Sequence, residues 1–480
     1  MGVKRQQGGV DQGDLFDQAR MAALRHGADG DGGTGPDACA EPQASAAWDQ
    51  QRALTRHLME QVVGAANLNR AYQRVKANGG AAGVDGMAVT ALRAWIAGNR
   101  ERLIASLLDG SYRPQAVRGV QIPKPGGGMR QLGIPTVVDR LVQQAIAQVL
   151  EPILDPGFSA SSFGFRPGRG AHDALRQARG YVADGYEIVV DLDLETFFDR
   201  VNHDILMARL ARRIGDTHLL RIVRRFLQAG MMTKGVCSER HEGTPQGGPL
   251  SPLLGNLLLD DLDKELERRG HRFCRYADGC NIYVRSPTAG ERVMASVTAF
   301  LEGRLKLKVN RQKSAVAPVG ERQFLGHRLG GGGTLGIGRK SLARAKDRLR
   351  AITRRNRGDC PTERMIAEVN RFATGWVTYY RNARCKSTLR DLDGWIRRKL
   401  RCVALKRCKS VRTIVDFLTG NGVRQAEARR LAASGKGWWR LSASKQAKQA
   451  MPVAWFDARG LVSLASHHAA LNLGGNRRGA

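Results

Sequence analysis

Apolar residues recur at helical spacing from near Trp48 past Tyr72, and again from Ala88 to Leu108, so the folded part opens on helices. Between them, residues 78–86 (Asn-Gly-Gly-Ala-Ala-Gly-Val-Asp-Gly) read as a turn-rich loop. Two short apolar runs, Val117 to Pro123 and Arg130 to Pro135, flank a glycine cluster and predict a β-hairpin. A long apolar helix is expected from Asp139 to Leu154, a buried strand at Ile188-Val189-Val190, and a helix from Arg200 to Arg213. A second strand pair is expected from Phe273 to Val284, and short strands broken by Pro318 and Gly320 follow up to Leu329.

The last third reads as helical. Leu342, Ala345, Leu349 and Ile352 form one apolar stripe, and Leu389, Leu392, Trp395, Ile396, Leu400 and Val403 form another. Arg344, Lys346, Arg350, Arg354 and Arg355 surround the first stripe, and Arg397, Arg398 and Arg401 the second. Such acid-poor faces on two separate helices suit a phosphate backbone better than an ordinary solvated surface. Trp376, Tyr379 and Tyr380 share one helix face and read as core rather than as base-stacking groups.

Charge sharpens this picture. The 480 residues carry 77 Lys+Arg against 44 Asp+Glu, a formal net charge of +33. Residues 331–480 hold 33 basic and 9 acidic side chains, whereas residues 1–50 hold 4 and 8. Most of the demand for a polyanion therefore falls in the last third, and nucleic acid is the expected partner. Residues 1–45, rich in Gly, Asp, Gln and Ala, are expected to be a disordered leader. No run of eighteen apolar residues occurs, so no membrane partner is expected. The eight cysteines show no Cys-x-x-Cys pair, which argues against zinc and for a reduced, cytoplasmic or nucleoid setting.

The candidate chemistry lies on two strand ends. The run Ile188-Val189-Val190-Asp191-Leu192-Asp193 delivers acids onto one, with Asp191 and Asp193 expected on the same face, and Arg275-Tyr276-Ala277-Asp278 delivers another. Paired carboxylates of this kind are what magnesium-dependent phosphoryl transfer needs, since two ions ~3.5–4 Å apart must be held by hard oxygens. Between the two strands lies Gly243-Thr244-Pro245-Gln246-Gly247-Gly248-Pro249-Leu250-Ser251-Pro252. Its double glycine permits close approach to a flat partner, and Gln246 offers both a donor and an acceptor.

Taken in order, these segments resemble a group II intron-encoded reverse transcriptase/maturase over roughly Leu54 to Leu464. Further carrying motifs are Phe163-Gly164-Phe165-Arg166-Pro167-Gly168-Arg169, Leu307-Lys308-Val309-Asn310 with Lys313, Phe324-Leu325-Gly326-His327 and Gly375-Trp376-Val377-Thr378-Tyr379-Tyr380. The resemblance implies an α+β right-hand polymerase. Fingers and palm would occupy 46–330, a thumb/maturase RNA-binding region 331–410, and a basic helical extension 411–480.

It implies that Asp193, Asp278 and the Leu194 carbonyl hold a two-metal Mg²⁺ site. Lys124 and Arg130 would grip the nucleoside triphosphate, Phe198 would exclude a ribose 2′-OH, Gln246 would lie along the nascent base pair, and Lys313 would stand near the pyrophosphate. The implied partners are intron RNA, an RNA template with a DNA primer, dNTPs and target DNA. The oligomeric state stays open.

The chain departs from the family in one place that bears on chemistry: Asp278 is followed by Gly279, where the family pattern has a second Asp. The expectation is impaired DNA synthesis with RNA binding and splicing assistance retained. The competing readings are a splicing cofactor without chemistry and an enzyme reassigned to repair or phage defence. The tail lacks a His-Asn-His endonuclease pattern, so DNA cleavage is not expected.

Overall fold

The computed structural model describes residues 55–123, 127–233, 235–355 and 360–475. The expected leader at 1–45 and Lys124 lie outside these residues. The chain divides into two compact units. One comprises residues up to Ala178 together with Ile188–Ala317; the other comprises Arg179–Glu187 and Pro318–Ala480.

In the first unit, helices α1 (Leu58–Val63) and α2 (Ala65–Asn78) replace the single helix expected from Trp48. Gly64 takes an extended ψ of 134° and breaks the helix between them. α3 (Leu92–Leu108) follows, and then the predicted hairpin of β1 (Val117–Pro123) and β2 (Met129–Ile134), paired from Arg118↔Ile134 to Pro123↔Met129. α4 (Val137–Leu154) buries Leu141, Val142, Ile146 and Leu150 completely. Its start is fixed by Thr136, whose hydroxyl accepts the Asp139 N–H.

After α5 (Ala171–Ala183) comes β3 (Ile188–Leu192), the first acid-bearing strand. The helix expected over 200–213 is shorter: α6 is His203–Ala211, capped by the Asn202 side chain and preceded by a 3-10 turn at Phe197–Asp199. α7 (Thr217–Gln228), β4 (Met231–Thr233) and β5 (Val236–Ser238) complete a four-stranded finger sheet of order β2-β1-β4-β5.

α8 (Ser251–Arg268) leads into β6 (Arg272–Tyr276) and β7 (Gly279–Val284), then α9 (Pro287–Arg304) and β8 (Ala315–Pro318). The second four-stranded sheet has the order β6-β7-β3-β8, with β3 and β7 antiparallel from Ile188↔Val284 to Leu192↔Cys280. Val190, Leu192, Phe273 and Ile282 of this sheet share one apolar core with α1, α4, α6 and α8.

The second unit begins with the hairpin β9 (His327–Gly330) and β10 (Thr334–Ile337). The helices α10 (Arg339–Ile352), α11 (Thr362–Tyr379) and α12 (Lys386–Arg407) follow. Both expected stripes face inward, with Ala345, Leu349, Leu389, Leu392, Ile396 and Leu400 buried. Tyr379 and Tyr380 donate their hydroxyl hydrogens to the Leu325 and Gly326 carbonyls and pack around His327, which makes them core side chains as the shared face suggested.

Six shorter helices follow: α13 (Val411–Gly420), α14 (Gln425–Ala432), α15 (Trp438–Leu441), α16 (Lys445–Ala450), α17 (Val453–Asp457) and α18 (Leu464–Gly475). Ile414, Leu418, Met451, Phe456 and Leu464 enter the same core as Leu349, Ile366 and Leu400, so the helices from α10 to α18 share one core. Buried Asp393 of α12 accepts the Leu464 and Ala465 N–H groups and so caps α18. The division between the units falls at 317/318, ahead of the palm end expected at 330.

Candidate active site

β3 carries Asp193 just past its last paired residue, where the chain leaves the ladder. The segment 308–314 holds this loop. The Asp193 carbonyl accepts the Asn310 N–H at 2.8 Å, the Asp193 N–H donates to the Ser314 hydroxyl at 3.0 Å, and the Glu195 N–H donates to the Lys308 carbonyl at 2.8 Å. Leu194 thus faces Val309 as an isolated antiparallel bridge whose flanking residues exchange the hydrogen bonds. The Leu194 carbonyl, predicted as a further oxygen ligand, is not one of the groups so exchanged. Asp191 pairs with Asn281 lower in the ladder, and its charge bears on Cys280 and Tyr283.

The second acid stands on the turn between β6 and β7. The last β3–β7 pair is Leu192↔Cys280, so Asp193 and the Asp278-Gly279 turn continue the same register at one sheet edge. Asp278 feels the charge of Asp193. Burial and the Asp193 charge raise the Asp278 carboxyl above its ordinary range, and Arg130 and Lys313 pull the other way. Two carboxylates held so that one ionises reluctantly form a site that welcomes a cation.

The turn itself is tightly built. Ala277 has φ +57°, in the left-handed region, and a Cβ on Gly164 would collide with the Ala277 backbone nitrogen. The glycine in Phe163-Gly164-Phe165 is therefore required by close approach to this turn. Arg275, wholly buried, donates to the Ala277 carbonyl at 2.9 Å.

Lys313 pairs with Asp193 at 3.3 Å, so the lysine expected beside the pyrophosphate stands at the carboxylate cluster. Among the described residues no group of three or more His, Cys, Asp or Glu is placed to hold a metal ion. Gly279 is where a third carboxylate is missing. Two carboxylates and a backbone carbonyl are donors of the kind that would suit magnesium, which is commonly held by one or two carboxylates together with substrate phosphates.

A cleft of about 550 Å³ in the same unit is lined by Arg130, Phe165, Phe198, Gln246, Gly247, Gly248 and Ser251, among others. It brings together three of the predicted nucleotide-binding residues. Arg130 donates to the Gln246 side-chain oxygen at 2.7 Å, and the Gln246 amide NH₂ points at the Asp199 carboxylate within 3.5 Å. Asp199 thus fixes which end of the Gln246 amide faces Arg130, a role that sequence reasoning missed.

Phe197 is core, as its apolar setting suggested, and Phe198 rests edge-on against it at 5.0 Å with its own ring in the cleft wall. Phe165, also missed, is 55% exposed at φ +57°.

The glycine-rich loop is anchored at its start. Buried His203 donates its Nε2 hydrogen to the Gly243 carbonyl at 2.7 Å, and burial lowers its pKa below the ordinary 6.5. In the unfolded chain this imidazole takes up a proton more readily than in the folded one. Stability from His203 is therefore complete above about pH 6.5 and lost as pH falls below it. The unfolding midpoint should drop more steeply between pH 6.5 and 5 in the native chain than in His203→Gln, which keeps a donor without the titration.

On the basic helices, Arg344, Arg350, Arg354 and Arg355 are exposed, and Lys346, Arg397 and Arg398 are half-buried. Arg401 is a correction. It is buried, donates Nε and Nη2 to the Met451 carbonyl at 3.0 and 2.9 Å, and lies over the Phe456 ring. The later helices fold over it, so it ties the core together and does not join the exposed face. The segment Gly437-Trp438-Trp439-Arg440 lies beside this face: Arg398 stacks on Trp439 at 3.9 Å and donates to its carbonyl.

Acids carried at the same end of two central antiparallel strands, with Arg130 and Gln246 lining a cleft of the same unit, are the pattern of the palm of a right-hand polymerase. Comparison with known proteins agrees. Residues 122–329 match the reverse transcriptase (RNA-dependent DNA polymerase) family and residues 342–416 the group II intron maturase-specific domain.

Protein YkfC of Escherichia coli K12 is 35% identical over 286 residues, covering 52% of this chain and 75% of that protein. Group II intron-encoded protein LtrA of Lactococcus lactis is 40% identical over 165 residues, 34% of this chain but 27% of its own length. A solved Cas6-RT-Cas1–Cas2 complex is 26% identical, with a TM-score of 0.34, over 51% of this chain and 42% of that one. The chain belongs to the group II intron-encoded reverse transcriptase/maturase family.

Proposed function

We propose that this chain binds intron RNA, assists its splicing, and carries a palm built for RNA-templated addition of deoxynucleotides to a DNA primer. The observation that carries this reading is the register that continues Asp193 and the Asp278 turn at one sheet edge. Asp193 and Asp278, with the Leu194 carbonyl, would hold Mg²⁺, which when bound supplies the positive charge that offsets the developing phosphoryl charge. Arg130 binds the triphosphate as a charge-assisted donor, exchanging Gln246 for a phosphate oxygen. Gln246, once released, lies along the base pair, and Phe198 presents a ring edge where a 2′-OH would stand. Target DNA follows as a partner if synthesis is primed there.

A second reading is favoured by Gly279, which leaves the cluster one acid short: a splicing cofactor in which synthesis is vestigial. Both readings predict RNA capture, and they part on chemistry. Asp193→Asn is expected to lower primer extension by at least roughly a hundredfold while leaving intron RNA capture and splicing assistance unchanged. Equal, background-level extension by the native chain and Asp193→Asn would favour the cofactor. Loss of RNA capture in the native chain would count against both.

A further inference from the structure

We propose that Arg275 is the positioning residue of the Asp278 turn, an inference that rests on reading Asp193 and Asp278 as a divalent-ion site. The guanidinium is among the most deeply buried side chains of the protein. Groups from three separate segments converge on it. Asp263 of α8 accepts from Nε at 2.7 Å and from Nη2 at 2.6 Å, and Asn256 of the same helix accepts from Nη1 at 3.0 Å. Ser162 accepts from Nη2 at 2.7 Å, and the Ala277 carbonyl from Nη1 at 2.9 Å. Asn256 in turn donates to the Gly164 carbonyl, the residue whose missing Cβ makes room for the turn.

The backbone repeats the link. The Arg275 N–H donates to the Ser161 carbonyl, and the Arg275 carbonyl accepts the Phe163 N–H.

This arrangement does more than fill the core. A buried ion pair adds little stability over a well-packed apolar pair of the same volume, because desolvation offsets the attraction. What an apolar pair lacks is a grip on the Ala277 carbonyl. Ala277 holds a left-handed φ that an L-residue adopts at a cost, and such a conformation persists only when its surroundings enforce it. The planar fork of Arg reaches Asp263, Asn256, Ser162 and Ala277 together; a lysine ammonium keeps the charge and loses the fork. Arg275 therefore fixes the direction in which the next residue, Asp278, leaves the turn.

The test is Mn²⁺ titration of the full chain by electron paramagnetic resonance, with thermal unfolding measured on each variant. Arg275→Lys, and the pair Arg275→Met with Asp263→Leu, are each expected to weaken Mn²⁺ binding by roughly 10–100-fold. The double variant removes the ion pair whole but strands the Ser162, Asn256 and Ala277 acceptors, so it is expected to fold with a lowered unfolding temperature, and it decides the matter if Arg275→Lys fails to fold. Native Mn²⁺ affinity in a folded double variant would overturn the proposal. Asp278→Asn separates the two levels. If it weakens Mn²⁺ binding and the Arg275 variants do not, only the positioning role fails; if Asp278→Asn itself changes nothing, the metal reading fails and this proposal with it.

Discussion

Gly279→Asp is expected to raise primer extension on an RNA template by about a thousandfold over the native chain. The figure corresponds to ~4 kcal/mol of transition-state stabilisation, the scale of one anionic ligand regained beside an ion that dehydrates reluctantly. The fold has room for it. Gly279 opens β7, and a Cβ there meets nothing nearer than the Tyr276 carbonyl at 3.7 Å, an ordinary contact. The added carboxylate joins Asp278 and Asp193 at one sheet edge.

The gain should carry a cost in the metal-free protein, because Asp278 already ionises against burial and the Asp193 charge. The variant should therefore unfold at a lower temperature than the native chain without Mg²⁺ and recover as Mg²⁺ is added. Gly279→Asn fits the same space without the charge and should restore little synthesis. Robust and equal synthesis by the native chain and Gly279→Asp would refute the impairment assigned to this position.

The second large effect concerns salt. If the exposed Arg344, Arg350, Arg354 and Arg355, with Lys346 and Arg397, neutralise about six phosphates, RNA affinity should fall about 300-fold between 50 and 200 mM salt. That follows from a log–log slope of roughly −0.7 per contact on single strands. Replacing Arg354 and Arg355 with Gln should flatten the slope by about 1.4. Arg401→Gln should behave differently: the slope stays, and stability drops by about 1–3 kcal/mol because the Met451 carbonyl loses its buried partner. A filter-binding series over salt concentration reads the slopes, denaturant unfolding reads the stability, and a flat salt dependence would contradict the assignment of these cations to RNA.

How much of this was legible in the sequence depends on distance along the chain. The β-branched run before Asp193 and the glycine turn between β1 and β2 are local signals, and both appear where the pattern places them. α7 carries Leu219, Ile222, Val223, Phe226 and Leu227 at helical spacing, a local signal that the sequence reading passed over.

α8 is harder. It buries Asn256, Asp260 and Asp263 along with its leucines, so no clean apolar stripe announces it. Those same polar residues hold Arg275 and the Asp278 turn, and only the fold brings Ser162, Asn256 and Asp263 to one guanidinium. Arg401 shows the converse. Its helix periodicity alone cannot tell a cation facing solvent from one later roofed by 445–457. Asp199 escaped notice because its partner, Gln246, lies far along the chain and meets it only across the cleft.

The central claim is that Asp193 and Asp278 share divalent ions. Its most direct test is affinity cleavage: the full chain is loaded with Fe²⁺ in place of Mg²⁺, treated with ascorbate and peroxide, and its fragments are mapped by mass spectrometry. The account predicts backbone cuts clustered beside both Asp193 and Asp278, suppressed together by excess Mg²⁺ and by either Asp→Asn change. Cuts confined to one of the two segments, or scattered elsewhere and indifferent to Mg²⁺, would contradict it.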